Sequence, residues 1–168
     1  MKPPIPLNEH ARLNLLRQYD ILDTAPERVF DEITARAARV CQAPISLLSF
    51  VDRDRVWFKS RAGLDLRETP RATSFCAHAI CQSDLYVAQD ALPDERFANN
   101  PLVHESAGVR FYAGVPLLSP EGLALGTLCV LDLEPRTLTP EQADELKELA
   151  KGVILLLEVR RAGGRTTV

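Results

Sequence analysis

Eight consecutive residues, Ser74 to Cys81, concentrate the side chains of this chain that could do chemistry. They read SFCAHAIC and hold two of the four cysteines and one of the three histidines. A cysteine thiolate can attack an electrophile or ligate a soft metal, and a histidine can exchange a proton near neutral pH. The segment therefore predicts an active site, the wall of a ligand pocket, or a helix whose thiols only pack.

Helical geometry narrows these three possibilities. Ser74 can cap a short helix that runs from Phe75 to Cys81. On that helix His78 points roughly opposite to Cys76, and Cys81 lies about 140° around from Cys76. This arrangement disfavours a shared metal and a disulfide between the two cysteines. A half-buried packing thiol is the favoured interpretation of Cys76, and a reactive thiol, activated by the helix dipole in the first turn, is the sharper alternative.

The composition predicts one globular domain and disfavours several classes of function. The chain has 168 residues, of which 46% are hydrophobic, and its net charge of −3 comes without the basic stripe typical of nucleic-acid binders. No apolar run is long enough for a membrane span or a signal peptide, so we expect a cytoplasmic protein with reduced thiols. The cysteines match no zinc spacing, and neither a metal nor a cofactor is expected. Cys41, Cys81 and Cys129 are predicted core residues.

Periodicity and capping residues predict the elements that must position this segment. Asn8 is the predicted cap of a first helix that runs to about Tyr19. A capping box at Thr24–Glu27 begins a second helix, and another at Thr139–Gln142 begins the last helix, which runs to about Arg160. Strands are predicted at 45–52, 55–62, 86–88, 111–118 and 123–132, with loops at 63–73 and 102–108. Because the strands join by hairpins, we expect an antiparallel sheet and an α+β fold class.

Strand alternation separates two faces of this sheet without saying which one carries a site. Phe111 and Ala113 share one face of their strand, and Tyr112 lies on the other. Trp57 and Phe58 likewise point to opposite faces, so that one of them can reach a pocket.

Three charged groups outside the SFCAHAIC segment are further candidates. Arg96 and Phe97 follow two acidic residues in a cluster that could bind an anion, although a hydrogen-bonded turn is the favoured interpretation. Asp90 ends a strand and can cap the segment after it, and Arg71 could bring a positive charge to a pocket mouth.

Four motifs follow one another along the chain: SFCAHAI at 74–80, VAQDALPDERFANNPLV at 87–103, VRFYAGVPL at 109–117 and LGTLCVLDLEPRTL at 125–138. Together they resemble the GAF domains of bacterial sensor histidine kinases and of diguanylate cyclases and phosphodiesterases. The segment NEHARLNLLRQYDILDTAPE at 8–27 is similar to the helix that precedes such modules. The resemblance covers residues 8–160 as a single domain and leaves 1–7 as a flexible arm and 161–168 as a tail or linker.

The resemblance implies an antiparallel sheet of five or six strands, with the N- and C-terminal helices on one face and a ligand cavity on the other. The helix at 74–81 and the segment 90–108 would cover that cavity. The residues that would contact a ligand are Phe58, Arg71, Phe75, Cys76, His78, Ala79, Asp90, Arg96, Phe97, Phe111 and Ala113.

By this resemblance the chain is expected to be a sensor module rather than an enzyme. It would bind a small molecule and signal through its terminal helices, as a homodimer, to a two-component kinase or a cyclic-dinucleotide output domain, with no nucleic-acid or membrane partner. The run Leu155–Leu157, which makes the last helix apolar nearly all round, predicts such a partner helix.

Three alternatives stay open. One is a thiol enzyme similar to free methionine sulfoxide reductase, although the spacing of Cys76 and Cys81 departs from that motif. A second is a bilin photoreceptor, although Ala77 separates the cysteine from the histidine. A third is a dimerisation module that binds no ligand.

Overall fold

The computed structural model describes residues 2–105 and 107–163, and within them it has eleven helices and strands. The strands are β1 (Ile45–Val51), β2 (Arg55–Ala62), β3 (Glu68–Pro70), β4 (Tyr86–Ala88), β5 (Phe111–Leu118) and β6 (Ala124–Asp132). The helices are α1 (Glu9–Tyr19), α2 (Arg28–Cys41), α3 (Phe75–Ala79), α4 (Pro101–His104) and α5 (Pro140–Arg161). Two short 3-10 turns, Arg71–Thr73 and Glu95–Phe97, lie between them.

The strands form one antiparallel sheet in the order β3-β2-β1-β6-β5-β4. All residues of β1, and all but the last residue of β5 and β6, are buried, so both faces of the central strands are covered. The α+β architecture predicted from the sequence is confirmed.

The two faces of the sheet carry separate apolar clusters. One face packs against α1, α2 and α5, whose inward residues include Leu16, Phe30 and Leu146. The other face packs against α3, α4 and the two 3-10 turns, with Phe75 and Phe97 among its buried side chains. We call these the helix face and the cavity face. Cys41 belongs to the first cluster and Cys129 to the second, as core residues.

Two predicted caps are wrong and two are confirmed. Asn8 makes no side-chain hydrogen bond at the start of α1. The Thr24 hydroxyl donates to the carbonyl of Ile21 instead of capping α2, which begins at Arg28 without a side-chain cap. The predicted box at Thr139 is present, with Gln142 closing it, and Ser74 caps α3 as expected.

The lengths of several elements depart from the predictions. β3 and α4 fall in segments predicted as loops, and α3 ends at Ala79, two residues early. Cys81 lies beyond α3 and is only half-buried, so its predicted core position is wrong. Residues 2–7 of the predicted arm form neither helix nor strand. At the other end, α5 includes Arg161, which was predicted to be the first residue of the tail. Residues 164–168 of that predicted tail lie outside the described residues.

Charged side chains attach the first helix to both the sheet and the cavity face. The buried Arg12 of α1 donates to the carbonyls of Val51 at 2.7 Å and Ala124 at 3.3 Å, at the ends of β1 and β6. Glu9, one turn earlier, accepts from both Arg12 and Arg71. Within the described residues, no helix combines the length and the hydropathy that a membrane crossing requires.

Candidate functional site

The short helix α3 presses its first residues onto the sheet. The Ser74 hydroxyl accepts a hydrogen bond from the Cys76 backbone amide at 3.0 Å, which fixes the start of the helix. All five residues of α3 are buried. Because α3 is so short, its position depends on what lies beneath it rather than on helix propensity.

A group of thiols and hydroxyls lies directly beneath α3, and we call it the thiol–hydroxyl cluster: Ser49, Cys76, Tyr112, Thr127 and Cys129. The Cys76 sulfur accepts from Thr127 Oγ1 at 3.3 Å and from the Tyr112 hydroxyl at 3.5 Å. Ser49 and Thr127 share a hydrogen bond of 2.8 Å between their hydroxyls. The Cys129 thiol, on the same face of β6 as Thr127, donates to the Leu47 carbonyl at 3.6 Å. The five side chains come from α3 and from three adjacent strands, at positions that face the same way.

The hydrogen bonds in this cluster make its two thiols unequal. The neighbouring Cys129 thiol, together with the hydroxyls of Ser49, Thr127 and Tyr112, outweighs burial and lowers the pKa of Cys76. Burial raises the pKa of Cys129 well above that of an ordinary thiol. The site therefore favours thiolate character at Cys76 while the proton stays on Cys129.

The other two cysteines lack such partners. Burial raises the pKa of Cys41 to about 11, and it also raises the pKa of Cys81. Cys76 is therefore the thiol best prepared for chemistry.

Aromatic rings fill the space next to the cluster. Phe75 stacks on Tyr112 with ring centroids 4.8 Å apart and planes 6° apart, and Phe97 packs against Phe75 at 4.4 Å. His78 meets the edge of Phe97 at 5.4 Å and stacks on Tyr86 at 6.3 Å. Burial and the nearby Arg96 lower the pKa of His78, so its ring stays neutral at neutral pH.

A small cavity remains between these rings, α4 and the sheet. Its volume is about 10 Å³, roughly the space of one water molecule. Two polar atoms in its lining residues, Asn100 Nδ2 and Thr73 Oγ1, are buried without a hydrogen-bond partner. The Asn100 residue is only 2% exposed, and its other amide atom already caps α4. Unpaired buried polar atoms of this kind cost free energy, so this small and largely apolar cavity contains two groups that could bind a polar atom of a ligand.

The comparison with known protein families agrees with this architecture. A family model of the GAF domain matches residues 25–155. The chain belongs to the GAF domain family. A GAF domain is generally a regulatory part of a signalling protein, which supports the expectation of a sensor-type role.

The chain is also similar to individual proteins of this family. A cyclic di-GMP phosphodiesterase of Pseudomonas aeruginosa is 47% identical over 134 residues, which are 80% of this chain but only 23% of that protein. The GAF domain of a phosphoenolpyruvate-protein phosphotransferase from Coxiella burnetii superimposes with a TM-score of 0.69 at 18% identity, covering 91% of this chain and 96% of that one.

A second similar structure is that of an enzyme. The free methionine-R-sulfoxide reductase of Neisseria meningitidis superimposes with a TM-score of 0.66 at 19% identity, covering 90% of this chain and 93% of that one. At such identities both structural likenesses show the GAF fold alone.

The structure brings part of the predicted site together around the GAF cavity. Phe58, Phe75 and Cys76 line the cavity, and Trp57 points to the helix face instead. Phe97 lies in the same apolar cluster and contacts Phe75.

Four other predicted residues lie beside the cavity without lining it. Ala79 is buried in the cluster of the cavity face, and His78 packs on its aromatic neighbours. Arg96 pairs with Asp94 and covers the rings of Tyr86 and Phe97, which supports the interpretation of this segment as a braced turn. Asp90 accepts from the backbone amide of Leu92 and caps the turn after β4.

Three predicted positions require correction. Phe111 and Ala113 lie on the helix face, among side chains that pack against α2 and α5, so they do not form the cavity floor. Arg71 does not reach the cavity mouth, because it turns toward α1 and pairs with Glu9.

Sequence reasoning missed several residues in and around the cavity. Tyr112, Thr127 and Ser49 share the cavity face, and Asn100 lies in its lining. Alternation contained the signal for Tyr112, since it lies opposite to Phe111. The Asn100–Pro101 pair is a helix-start signal that marks α4.

Proposed function

We propose that this GAF domain is a cytoplasmic regulatory module of a cyclic-dinucleotide signalling protein, which senses a small molecule at the cavity under α3 and passes the change to its terminal helices. The similarity to a cyclic di-GMP phosphodiesterase supports the signalling context. The observation that carries the proposal is that polar contacts join both ends of α1 to its neighbours: one set joins its start to the turn before α3, and another joins its end to α5.

The first part of this connection leads from α3 to α1. Arg71 lies in the 3-10 turn directly before the Ser74 cap, and its guanidinium is bound to Glu9 and to the carbonyl of Asp52 at 3.0 Å. Glu9 is held in turn by Arg12, the residue that attaches α1 to the sheet. A displacement of α3 is therefore transmitted to α1 through a partly buried ion pair.

The second part of the connection leads from α1 to the end of α5. The Tyr19 hydroxyl donates to Glu158, and Arg160 donates to the Tyr19 carbonyl at 3.0 Å. Arg160 also pairs with Glu27, next to α2. The last turn of α5 is thus bound to the last turn of α1. A shift of α1 would therefore change the position of the C-terminal end of α5.

The cavity in this structure has room for about one water molecule, and we infer that a larger ligand enters by displacing the stacked rings of Phe75 and Tyr112. The unpartnered Asn100 Nδ2 and Thr73 Oγ1 favour a ligand that carries hydrogen-bond acceptors. Opening α3 in this way would act directly on the turn that holds Arg71.

Thermal unfolding of the chain with cyclic di-GMP, cyclic GMP and cyclic AMP tests ligand binding. A ligand that binds the folded state alone stabilises it by about 2.7 kcal/mol at 100 times its dissociation constant. We expect one probe to raise the Tm, and Asn100→Ser, which keeps a capping oxygen for α4 but removes the free amide, to abolish the rise. If no probe raises the Tm of the unsubstituted chain, the proposal for these nucleotides is wrong.

A second function, dimerisation without a ligand, is favoured by the small cavity volume and by the rings that fill it. In that case the same series gives no Tm shift while the chain remains dimeric. Methionine sulfoxide and biliverdin belong in the series as probes for the thiol-enzyme and photoreceptor alternatives. A stabilising effect of either one would favour that alternative over the regulatory nucleotide site.

A further inference from the structure

Two buried cysteines meet in the thiol–hydroxyl cluster, and the regulatory function proposed above uses neither of them. Cys76 comes from α3 and Cys129 from β6, and they are 4% and 0% exposed. Cys129 lies opposite Gly114 in the pairing of β5 with β6, and the Tyr112 hydroxyl that lies over Gly114 also contacts the Cys76 sulfur, so the two cysteines are neighbours beneath α3. The Cys129 thiol donates to the Leu47 carbonyl at 3.6 Å. Cys41, by contrast, lies in the cluster of the helix face, on the opposite side of the sheet.

The surroundings of Cys76 suit a thiol that becomes a nucleophile. Two hydroxyl groups, those of Thr127 and Tyr112, are directed at its sulfur at 3.3 and 3.5 Å. Hydrogen bonds to a sulfur stabilise its thiolate, and the thiolate is the form that reacts with oxidants. A packing thiol in an apolar core would have no such donors, as Cys41 illustrates.

Space for a small oxidant adjoins this sulfur. Cys76 lines the cavity of about 10 Å³, whose walls carry the unpartnered Asn100 Nδ2 and Thr73 Oγ1. Hydrogen peroxide is only slightly larger than water, and its two oxygens can both accept and donate hydrogen bonds. The cavity therefore offers a hydroperoxide the polar contacts that the protein itself leaves unmade.

We propose that Cys76 and Cys129 form a dithiol that hydrogen peroxide oxidises to an internal disulfide. The Cys76 thiolate attacks one peroxide oxygen and the O–O bond breaks, which gives a sulfenic acid on Cys76 and a hydroxide that leaves as water after taking up a proton. The Cys129 sulfur then attacks the Cys76 sulfur, and the S–OH bond breaks. The hydroxyl group leaves as a second water with the Cys129 proton, so two sulfurs lose two electrons and one peroxide becomes two waters.

This chemistry does not depend on whether the cavity binds a regulatory ligand. The new bond would join α3 covalently to β6. Oxidation would therefore act on α3, the same short helix that the proposed ligand would displace.

Peroxide treatment of the folded chain, followed by catalase, denaturation and alkylation with N-ethylmaleimide, tests the proposal. We expect two of the four cysteines to resist alkylation, and non-reducing peptide mapping to recover the Cys76 and Cys129 peptides joined. Dithiothreitol should restore all the thiols. The same treatment in urea should lose this selectivity, because the pairing depends on the fold.

Single substitutions separate the two steps of the reaction. In Cys129→Ser the sulfenic acid on Cys76 should persist and react with dimedone, whereas Cys76→Ser should form no adduct and leave Cys129 alkylatable. Cys41→Ala and Cys81→Ser are matched controls that should retain the internal bond. The proposal is overturned if Cys76 and Cys129 stay alkylatable under peroxide that oxidises Cys81, or if the disulfide involves Cys81 or joins two chains. The mapping of the unsubstituted chain decides this even if a variant fails to fold.

Discussion

The hydroxyl end of Tyr112 occupies the space that a β-carbon on Gly114 would fill. Both residues lie on the cavity face of β5, two positions apart, and the absent side chain lets the tyrosine lie flat along the strand. In that position Tyr112 stacks under Phe75 and reaches Cys76 and Thr127. The packing of Tyr112 beneath α3 thus depends on Gly114, although the glycine itself has no side chain to contact the site.

Gly114→Ala is expected to destabilise the domain by about 1–3 kcal/mol, the usual cost of overpacking a filled core. The added methyl group must push Tyr112 off its place, which breaks its stack with Phe75 and its hydrogen bonds to the thiol–hydroxyl cluster. Urea unfolding followed by circular dichroism measures the change.

Gly152→Ala is the matched control for this prediction. A β-carbon at Gly152 in α5 meets no atom within 4 Å, so the substitution adds helix propensity without a clash. We expect it to stabilise the chain by about 0.5–1 kcal/mol. Equal effects of the two substitutions would contradict the close approach between Tyr112 and Gly114.

The alternation of β5 shows how far sequence reasoning reaches into this site. It separated Phe111 and Ala113 from Tyr112 correctly, yet it could not tell which face the helices cover. That choice depends on how α1, α2 and α5 pack, which is a tertiary property rather than a property of the strand. The prediction that Arg71 lies at the cavity is wrong for a similar reason. Its partner Glu9 lies 62 positions away in the chain, so the sequence does not show that the two side chains meet.

Short elements mark a second limit of the sequence. Glu68–Pro70 has three residues and contains a proline, so no alternation marks it as a strand, and it becomes one only through its pairing with β2 at the sheet edge. Longer segments with clear periodicity, such as Arg55–Ala62, have the predicted bounds. The local sequence pattern therefore predicts long elements well, whereas short elements form only through their contacts with adjacent strands and helices.

Glu9→Gln is expected to cost about 2–4 kcal/mol at neutral pH, because it leaves Arg71 and Arg12 without the carboxylate that compensates their burial. Burial raises the pKa of Glu9, but the hydrogen bonds from the two arginines outweigh that effect and hold the pKa at about 2. A depressed carboxyl pKa adds stability that is present at neutral pH and is lost as the pH falls from near 4.5 toward 2.

Urea unfolding of the unsubstituted chain and of Glu9→Gln between neutral and acidic pH measures this linkage. The difference between their free energies of unfolding should shrink as the pH falls through that window. Glu32→Gln is the control, since Glu32 pairs with Arg28 on the surface, with exposures of 63% and 80%. It should change stability by less than about 0.5 kcal/mol. A constant difference between the first two curves at all pH values would disprove the role of the Glu9 carboxylate.

Thr139→Ala is expected to destabilise the domain by about 1 kcal/mol, because the Thr139 hydroxyl accepts from the Gln142 amide at 3.1 Å and opens the longest helix. Asn8→Ala should have a clearly smaller effect, since Asn8 makes no side-chain capping bond to α1. Both are helix-start residues by sequence, so thermal unfolding of the two variants separates a real cap from an apparent one. Similar losses in the two variants would contradict the structure.

The last prediction concerns the exposed side of α5 and the proposed dimer. Leu155 and Val159, four residues apart and therefore on one stripe of the helix, are 68% and 52% exposed. An apolar stripe at the free side of a terminal helix is the surface through which two parallel helices would pack. We expect the chain to be dimeric by light scattering coupled to size exclusion, and Leu155→Glu to shift it to the monomer while its circular dichroism stays unchanged. Leu92→Glu, at a 48% exposed leucine remote from α5 in the sequence, should remain dimeric. A monomeric unsubstituted chain, or a Leu155→Glu variant that stays dimeric, would exclude this stripe as the interface.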